Sequence, residues 1–503
     1  MDSRVSAKSA TEDAGEHFDV LIVGAGLSGI DAAWHLQKRC PRKSYAIMEQ
    51  RETSGGTWDL FRWPGMRSDS DMYTLAYHFR PWTDSKVIVD RLAILKYIRG
   101  VASDYGIDRK IRYQHKLVAA AWSTEKACWT VEVERGPQRE PARYTCGFLW
   151  MCSGYYSYEG GYLPEFSGIE RFNGYVVHPQ KWPENLDYAG KRVVVIGSGA
   201  TAITMIPALA KSAAHVTMLQ RSPSFICVYP SIDPHAAGIY RNLPPALASL
   251  AMRIKYILGM MYYYQLCIRW PKKIKQLWLG WERTILGPEY DIDKHFTPRY
   301  KPCTQRVSLA ADGDFFHDIR SGKVTVVTDH IETFTETGIR LKSGEDLPAD
   351  VVVTATGLVV VPLGGVSFMV DGRQVLPAKT FIYKSTMFSD VPNLALVRGY
   401  GNASWTLKAD LICQYVCRVL NYMDRKGLRQ CTPRNNDPDL GEEPWVEATS
   451  GYILRSLPFE PKQGSRRPWK YHHNYLLDLL SLRFGSLRDH VLVFSNPRPK
   501  QTT

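Results

Sequence analysis

Two glycine loops constrain this chain more than any other feature, because each closes a short apolar run and opens a helical pattern. The first run, Phe18-Asp-Val-Leu-Ile-Val23, leads into Gly24-Ala-Gly26-Leu-Ser-Gly29, and Ile30 to Arg39 continues with helical spacing. Such a run reads as a parallel-sheet strand buried on both faces. In that order, strand, G-x-G-x-x-G and helix form a dinucleotide fingerprint. Gly24 permits the tight turn, Gly26 lets the backbone approach a pyrophosphate, and Gly29 lets helix and strand pack closely. The second loop comes after Lys191-Arg-Val-Val-Val-Ile196 and reads Gly197-Ser198-Gly199-Ala200-Thr201-Ala202, the G-x-G-x-x-A variant.

The strand downstream of each loop separates the two sites. After the first, Ser44-Tyr-Ala-Ile-Met48 reads as a strand ending at Glu49, twenty residues past Gly29. That is where an acid holds ribose hydroxyls. After the second, His215 to Leu219 ends in Gln220-Arg221. A carboxylate there would repel a 2′-phosphate, whereas Arg221 can pair with it, so the expected ligand is NADPH rather than NADH.

At 503 residues the chain exceeds one ordinary core. The expected fold class is α/β, with two Rossmann-type dinucleotide-binding domains and a helical insertion. Residues 1–16 read as a mobile extension and 17–155 as the first part of the dinucleotide-binding domain built on the first loop. Residues 156–229 and 288–345 read as the two parts of an NADP-binding domain, interrupted by a helical insertion at 230–287. Residues 346–503 return to the first domain and end in a C-terminal region. Two strands frame this discontinuity: Phe148 to Gly154 leads out of the first segment, and Asp350-Val-Val-Val-Thr-Ala-Thr-Gly357 leads back.

Ten cysteines without a C-x-x-C pair, and a polar stretch from Met1 to Ala14, support neither a disulfide framework nor a secretory signal. The expected setting is a reducing cytoplasm. The net charge of +13 is scattered, and no nucleic-acid-binding pattern accompanies it, so no nucleic-acid partner is expected. Within the insertion, Leu250 to Leu266 is apolar and aromatic but interrupted by Arg253 and Lys255, which argues against a membrane span. The basic surface from Arg269 to Lys275 leaves peripheral contact with the inner membrane face open. No metal site is expected.

Between the loops stands Phe172-Asn-Gly174-Tyr-Val-Val-His178-Pro-Gln-Lys-Trp182-Pro183, which fits F-x-G-x-x-x-H-x-x-x-W-P at all its fixed positions. With it come Gly55-Gly-Thr-Trp-Asp-Leu-Phe-Arg62, Arg67-Ser-Asp-Ser-Asp71, Asn402-Ala-Ser-Trp-Thr-Leu-Lys408 and Gln463-Gly-Ser-Arg466. On these strings the chain resembles the class B flavoprotein monooxygenases, the Baeyer–Villiger branch and within it the ethionamide-activating members, from about Phe18 to about Trp469. The resemblance implies bound FAD, NADPH and O₂ as co-substrates, and oxidation of hydrophobic ketones to esters or lactones through a C4a-peroxyflavin. Oxidation of sulfides or thioamides is implied as a second activity.

The same resemblance implies flavin contacts at Gly24, Gly26, Ser28, Gly29, Glu49, Thr57, Trp58, Asp59, Leu60, Arg67, Ser68, Asp69 and Leu117. On the NADP side it implies Gly197, Ser198, Gly199, Ala200, Thr201, Ala202, Ile203, Gln220 and Arg221. It gives the catalytic role to Arg306, a fixed positive charge that cannot act as a base, with Asp69 orienting the arginine beside the flavin. By residue type alone, Arg306 would be a surface or interface ion pair. His178 reads as a structural, hydrogen-bonded histidine in the interdomain linker, not as a base.

Departures from the family pattern cluster near the substrate. Trp63 stands for a Tyr, Cys303-Thr304 for Trp-Asp, Ala310-Ala311 for Val-Pro, and Gln305 for the Lys of many ketone-oxidising relatives. These weaken transfer of substrate preference and loosen the expected NADPH selectivity. Three alternatives remain open from the sequence. A heteroatom-oxidising flavin monooxygenase carries Tyr or Phe where Trp182 stands. A disulfide reductase needs a redox cysteine pair near the flavin, for which Cys413 and Cys417 are poor candidates. A non-catalytic flavin-binding sensor is kept open by Cys303-Thr304.

Overall fold

The structure is a computed structural model describing residues 15–305, 307–401, 403–445 and 450–497. The first apolar run forms the strand His17–Val23, with Val20, Leu21 and Ile22 fully buried. It pairs in parallel with Tyr45–Met48 on one side and with the second half of Glu140–Met151 on the other. The first half of that long strand pairs antiparallel with Cys128–Arg135, which pairs antiparallel with His115–Ser123. Alternation sets the faces of this meander: Trp129, Val131 and Val133 point inward and their neighbours outward. A single nine-stranded sheet results among the described residues, completed by Ile111–Arg112, Ser367–Val370, Arg373–Val375 and Leu394–Leu396.

The second sheet is five-stranded and parallel, in the order Val324–Thr328, His215–Gln220, Arg192–Ile196, Val351–Thr354 and Tyr175–Val177. One expected boundary moves. Val351–Thr354 pairs with Arg192–Ile196 and Tyr175–Val177, so it belongs to the second sheet although it lies past 345. The chain regains the first sheet only at Ser367, which aligns with Ala119. The strand is buried along its whole length and has a parallel neighbour on each side within the second sheet.

The insertion consists of three helices, Ala236–Asn242, Pro245–Arg269 and Pro271–Leu286. Among the described residues, no helix is long and apolar enough to cross a membrane. Behind the first sheet, helix Leu27–Arg39 packs on the long helix Trp405–Lys426 in one core.

Candidate functional site

At the first loop, three close approaches shape a cradle. A Cβ on Gly24 (φ +103°) would lie 2.6 Å from the Cys152 carbonyl oxygen, and one on Gly29 would lie 1.8 Å from that of Gly24. Gly26 faces Gly56, where a Cβ would lie 3.0 Å from the Gly26 Cα. Gly55 N–H donates to the Ala25 carbonyl at 3.0 Å and fixes this roof. Helix Leu27–Arg39 starts at Gly26 with no side-chain cap and no acid in its first turn. Its free N–H groups suit an anion.

Glu49 ends the neighbouring strand, 2% exposed, and its two oxygens accept Ala25 N–H at 2.8 Å and Arg51 N–H at 3.0 Å. Burial pushes this carboxyl up, opposed by those two N–H donors. Both oxygens keep lone pairs for hydroxyl donors. Ser28 Oγ accepts Trp405 Nε1–H at 2.8 Å, and the Trp405 ring stacks on Tyr155.

Both loops face one cavity of about 830 Å³ between the two sheets. Of the expected flavin-side residues, Gly24, Gly26, Ser28, Glu49, Thr57, Trp58, Arg67, Asp69 and Leu117 are on its wall. The other four are set behind it. Gly29 serves the helix–strand approach. Asp59 is the hub of an arginine cluster, accepting Arg51 at 2.6 Å, Arg99 at 2.8 Å and the Thr53 hydroxyl at 2.8 Å. Burial would raise its carboxyl, but the Thr53 hydrogen bond and the arginines outweigh this and hold it low. Ser68 Oγ accepts Val89 N–H at 3.1 Å, and Leu60 packs against the second domain's core.

The second loop repeats the first with fewer constraints. Gly197 has φ +126°, and a Cβ there would lie 2.4 Å from the Ala355 carbonyl oxygen. Helix Ala200–Leu209 starts at Gly199, again without a side-chain cap or a first-turn acid. Gly199, Ala200 and Thr201 are on the cavity wall; Gly197, Ser198, Ala202 and Ile203 lie behind it. Gln220 is buried and spends its amide on the His295 carbonyl (2.7 Å) and the Thr328 hydroxyl (3.0 Å). Arg221 is exposed, with no ion pair among the described residues.

The segment between Thr57 and Asp69 ties the two halves together. Phe61, Trp63 and Met66 are buried in the second domain's core rather than the first's. A Cβ on Gly65 would lie 2.2 Å from the Thr204 carbonyl oxygen, so the Pro64-Gly65 turn sits directly on helix Ala200–Leu209. Arg67 Nη2 donates to Asp314 Oδ1 at 3.1 Å, at the start of helix Asp314–Arg320. Cys303, Thr304 and Gln305 are on the wall, and Arg306 lies outside the described residues.

His178 lies at the edge of the second sheet. Its Nε2 donates to the Gly357 carbonyl at 3.2 Å and its Nδ1 accepts Gln180 N–H at 3.2 Å, which defines one neutral tautomer. Burial lowers its pKa, against the Gly357 bond. The Gly357 carbonyl also accepts Tyr162 N–H at 2.9 Å. The fingerprint histidine therefore clips the linker to the returning strand.

An NAD(P)-binding Rossmann-like domain model matches residues 22–87, and a flavin-binding monooxygenase-like model matches residues 70–234. FAD-containing monooxygenase EthA of Mycobacterium tuberculosis (strain ATCC 25618 / H37Rv) is 52% identical over 486 residues, spanning 96% of this chain and 99% of that protein. This chain belongs to the flavin-binding monooxygenase family. The probable FAD-binding monooxygenase AlmA of Acinetobacter baylyi is 46% identical over 481 residues, 95% of this chain and 96% of that one. Among solved structures, an oxidised steroid monooxygenase bound to NADP superposes with a TM-score of 0.72 at 21% identity, covering 95% of this chain and 100% of the other. Open cyclohexanone monooxygenase gives 0.70 at 19%, covering 84% and 90%. These two share the fold with this member of the family.

Sequence reasoning missed a third part of the wall, contributed by the C-terminal region. Arg398 there pairs with buried Glu460 at 2.7 Å and lies over the Trp445 ring, 4.6 Å from its centroid. Trp405, Tyr471 and His473 complete it. The Asn402-to-Lys408 string was the available signal, but nothing in it says which residues face inward. Cys413 and Cys417 are buried in helix Trp405–Lys426 and are not on the cavity wall.

Proposed function

We propose that this chain is an FAD-containing monooxygenase that uses NADPH and O₂ to convert hydrophobic ketones into esters or lactones, with sulfides or thioamides as second substrates. The observation that carries this reading is the pairing of two uncapped, acid-free helix N-termini on one cavity. The residues fit the cofactors: the Gly26–Gly56 approach leaves backbone alone around one pyrophosphate, and Glu49 offers acceptors to a ribose. When bound, FAD supplies the redox and oxygen chemistry.

The chain's own part is positioning and charge. The two helix N-termini hold the two pyrophosphates. Arg221 pairs with the 2′-phosphate, which favours NADPH. Thr57, Trp58 and Leu117 frame the flavin. Asp69 orients Arg306, whose fixed charge opposes the negative charge that builds on the reacting oxygens. The wall's aromatic side chains exclude water, which strengthens that interaction. In the balanced reaction one oxygen atom enters a C–C bond beside the carbonyl. The other leaves as water, with two electrons and a proton from NADPH and one proton from solvent.

The test is the holoenzyme with NADPH, ¹⁸O₂ and a hydrophobic ketone, monitored by flavin absorbance and product mass. One labelled atom per ester is the expected result, and Arg306→Ala is expected to keep FAD and its reduction by NADPH while forming no ester. Peroxide equal to NADPH consumed, regardless of ketone or sulfide, would overturn the reading. Ester formation by Arg306→Ala would remove Arg306 from it.

A further inference from the structure

We propose that the outer face of helix Pro245–Arg269, with the turn into Pro271–Leu286, docks on an anionic lipid bilayer. Leu247, Leu250, Ile254, Leu258 and Tyr262 recur at helical spacing and are each 45–67% exposed. They form one outward stripe about 22 Å long at 1.5 Å per residue. A soluble surface rarely leaves such a stripe bare. At its C-terminal end Ile268 and Trp270 extend it, 57% and 47% exposed. Among the described residues no helix can span the bilayer, so the geometry is that of a helix lying in the interface.

Charge selects the partner. From Pro234 to Trp281 the chain has no Asp or Glu at all, yet it carries Arg241, Arg253, Lys255, Arg269, Lys272, Lys273 and Lys275. Three of these are engaged inside the protein: Arg253 by the Tyr73 and Ala76 carbonyls, Lys255 by Asp233, and Lys275 by the Pro298 carbonyl. Arg241, Arg269, Lys272 and Lys273 are exposed and form no ion pair among the described residues. A second copy of this face would bring the same unneutralised charges, whereas an anionic headgroup layer neutralises them. Each basic residue near such a surface is worth about fivefold in affinity.

The inner side of the same helix gives the docking a consequence. Ile257, Met260 and Met261 pack on Tyr400, Leu407 and Tyr471, and Tyr264 is on the cavity wall. One helix thus separates the bilayer from the cavity, and an apolar substrate dissolved in lipid would pass along it without crossing water. This consequence rests on the reading of hydrophobic substrates; the docking does not.

Full-length holoprotein is sedimented with vesicles of phosphatidylcholine containing phosphatidylglycerol, and with phosphatidylcholine alone, alongside light scattering in the absence of lipid. The wild type is expected to pellet with the anionic vesicles and to remain monomeric on this face without them. Lys272→Glu/Lys273→Glu is expected to lower vesicle affinity by more than about tenfold. Leu250→Glu/Leu258→Glu is expected to abolish binding with flavin content and melting temperature unchanged. No pelleting of the wild type, or pelleting untouched by both variants, would overturn the proposal. So would a wild-type dimer that Leu250→Glu/Leu258→Glu splits, since a second copy would then cover the stripe. Sedimentation does not require turnover, so a failed ketone assay leaves this result intact.

Discussion

The two glycine loops begin alike and are finished differently. Each closes a buried parallel strand, turns through a glycine with positive φ, and opens a helix with neither a side-chain cap nor a first-turn acid. Around the first loop the protein then builds a roof. Gly55 hydrogen-bonds to Ala25, Gly56 lies against Gly26, and buried Glu49 takes two backbone N–H groups. Around the second, a Cβ on Gly199 would meet nothing within 4 Å, the third glycine is already Ala202, and Arg221 stands exposed. Closed on one side and open on the other suits a ligand that stays and a ligand that comes and goes, which is the division of labour in the proposed reaction.

The largest expected effect breaks the first loop and spares the second. In Gly29→Ala the new methyl would sit 1.8 Å from the Gly24 carbonyl oxygen, so helix and strand must separate. A cost of at least ~3 kcal/mol is expected, with loss of bound flavin. Gly199→Ala is expected to keep flavin absorbance and melting temperature. If both variants lose flavin, the asymmetry between the loops is not what the steric environment implies.

A smaller effect sharpens the contrast between the residues that end the two neighbouring strands. In Glu49→Gln the amide NH₂ would face a backbone N–H of Ala25 or Arg51, a donor against a donor, costing about 1–3 kcal/mol. Flavin affinity is expected to fall with NADPH affinity unchanged. The mirror variant, Arg221→Ala, is expected to weaken NADPH by ~1.5–3 kcal/mol, NADH much less, and flavin not at all. Titration of each nucleotide against each variant checks the pattern. Equal weakening of NADPH and NADH would show that Arg221 does not meet the 2′-phosphate.

The elements around both loops were legible because parallel strands buried on both faces are continuous apolar runs. His17–Val23, Arg192–Ile196 and Val351–Thr354 carry that signal in the sequence, and His215–Gln220, interrupted by Thr217, carries it more weakly. Sheet membership was not legible. Val351–Thr354 is equally apolar whichever sheet it joins, and Ser367–Val370 and Leu394–Leu396 are too short to announce their return to the first sheet. The burial partners of Phe61, Trp63 and Met66 were hidden for the same reason: an apolar residue records that it is buried, not against which neighbour. Asp59 illustrates the polar counterpart. Its setting, Gly-Gly-Thr-Trp-Asp, suggested a ligand contact, but Arg51 and Arg99 converge on it from separate segments, and no spacing rule encodes that convergence.

The smallest expected effect tests how the linker is clipped to the end of the returning strand. His178 is held neutral, with Nδ1 accepting Gln180 N–H and Nε2 donating to Gly357. Protonation would set Nδ1–H against that N–H donor, and burial already depresses the folded-state pKa below the unfolded value. Stability from this group is therefore fully present above the unfolded pKa of about 6.5 and is lost as pH falls through the lower folded value. The loss is expected to stay within ~1 kcal/mol, since one pKa unit is about 1.4 kcal/mol and the site is only partly buried. Melting temperatures of the wild type and His178→Gln, measured from pH 8 downward, should run parallel and then converge below about pH 6.5 as the wild type loses its advantage. Parallel curves throughout would mean that the clip at Gly357 does not depend on the neutral imidazole.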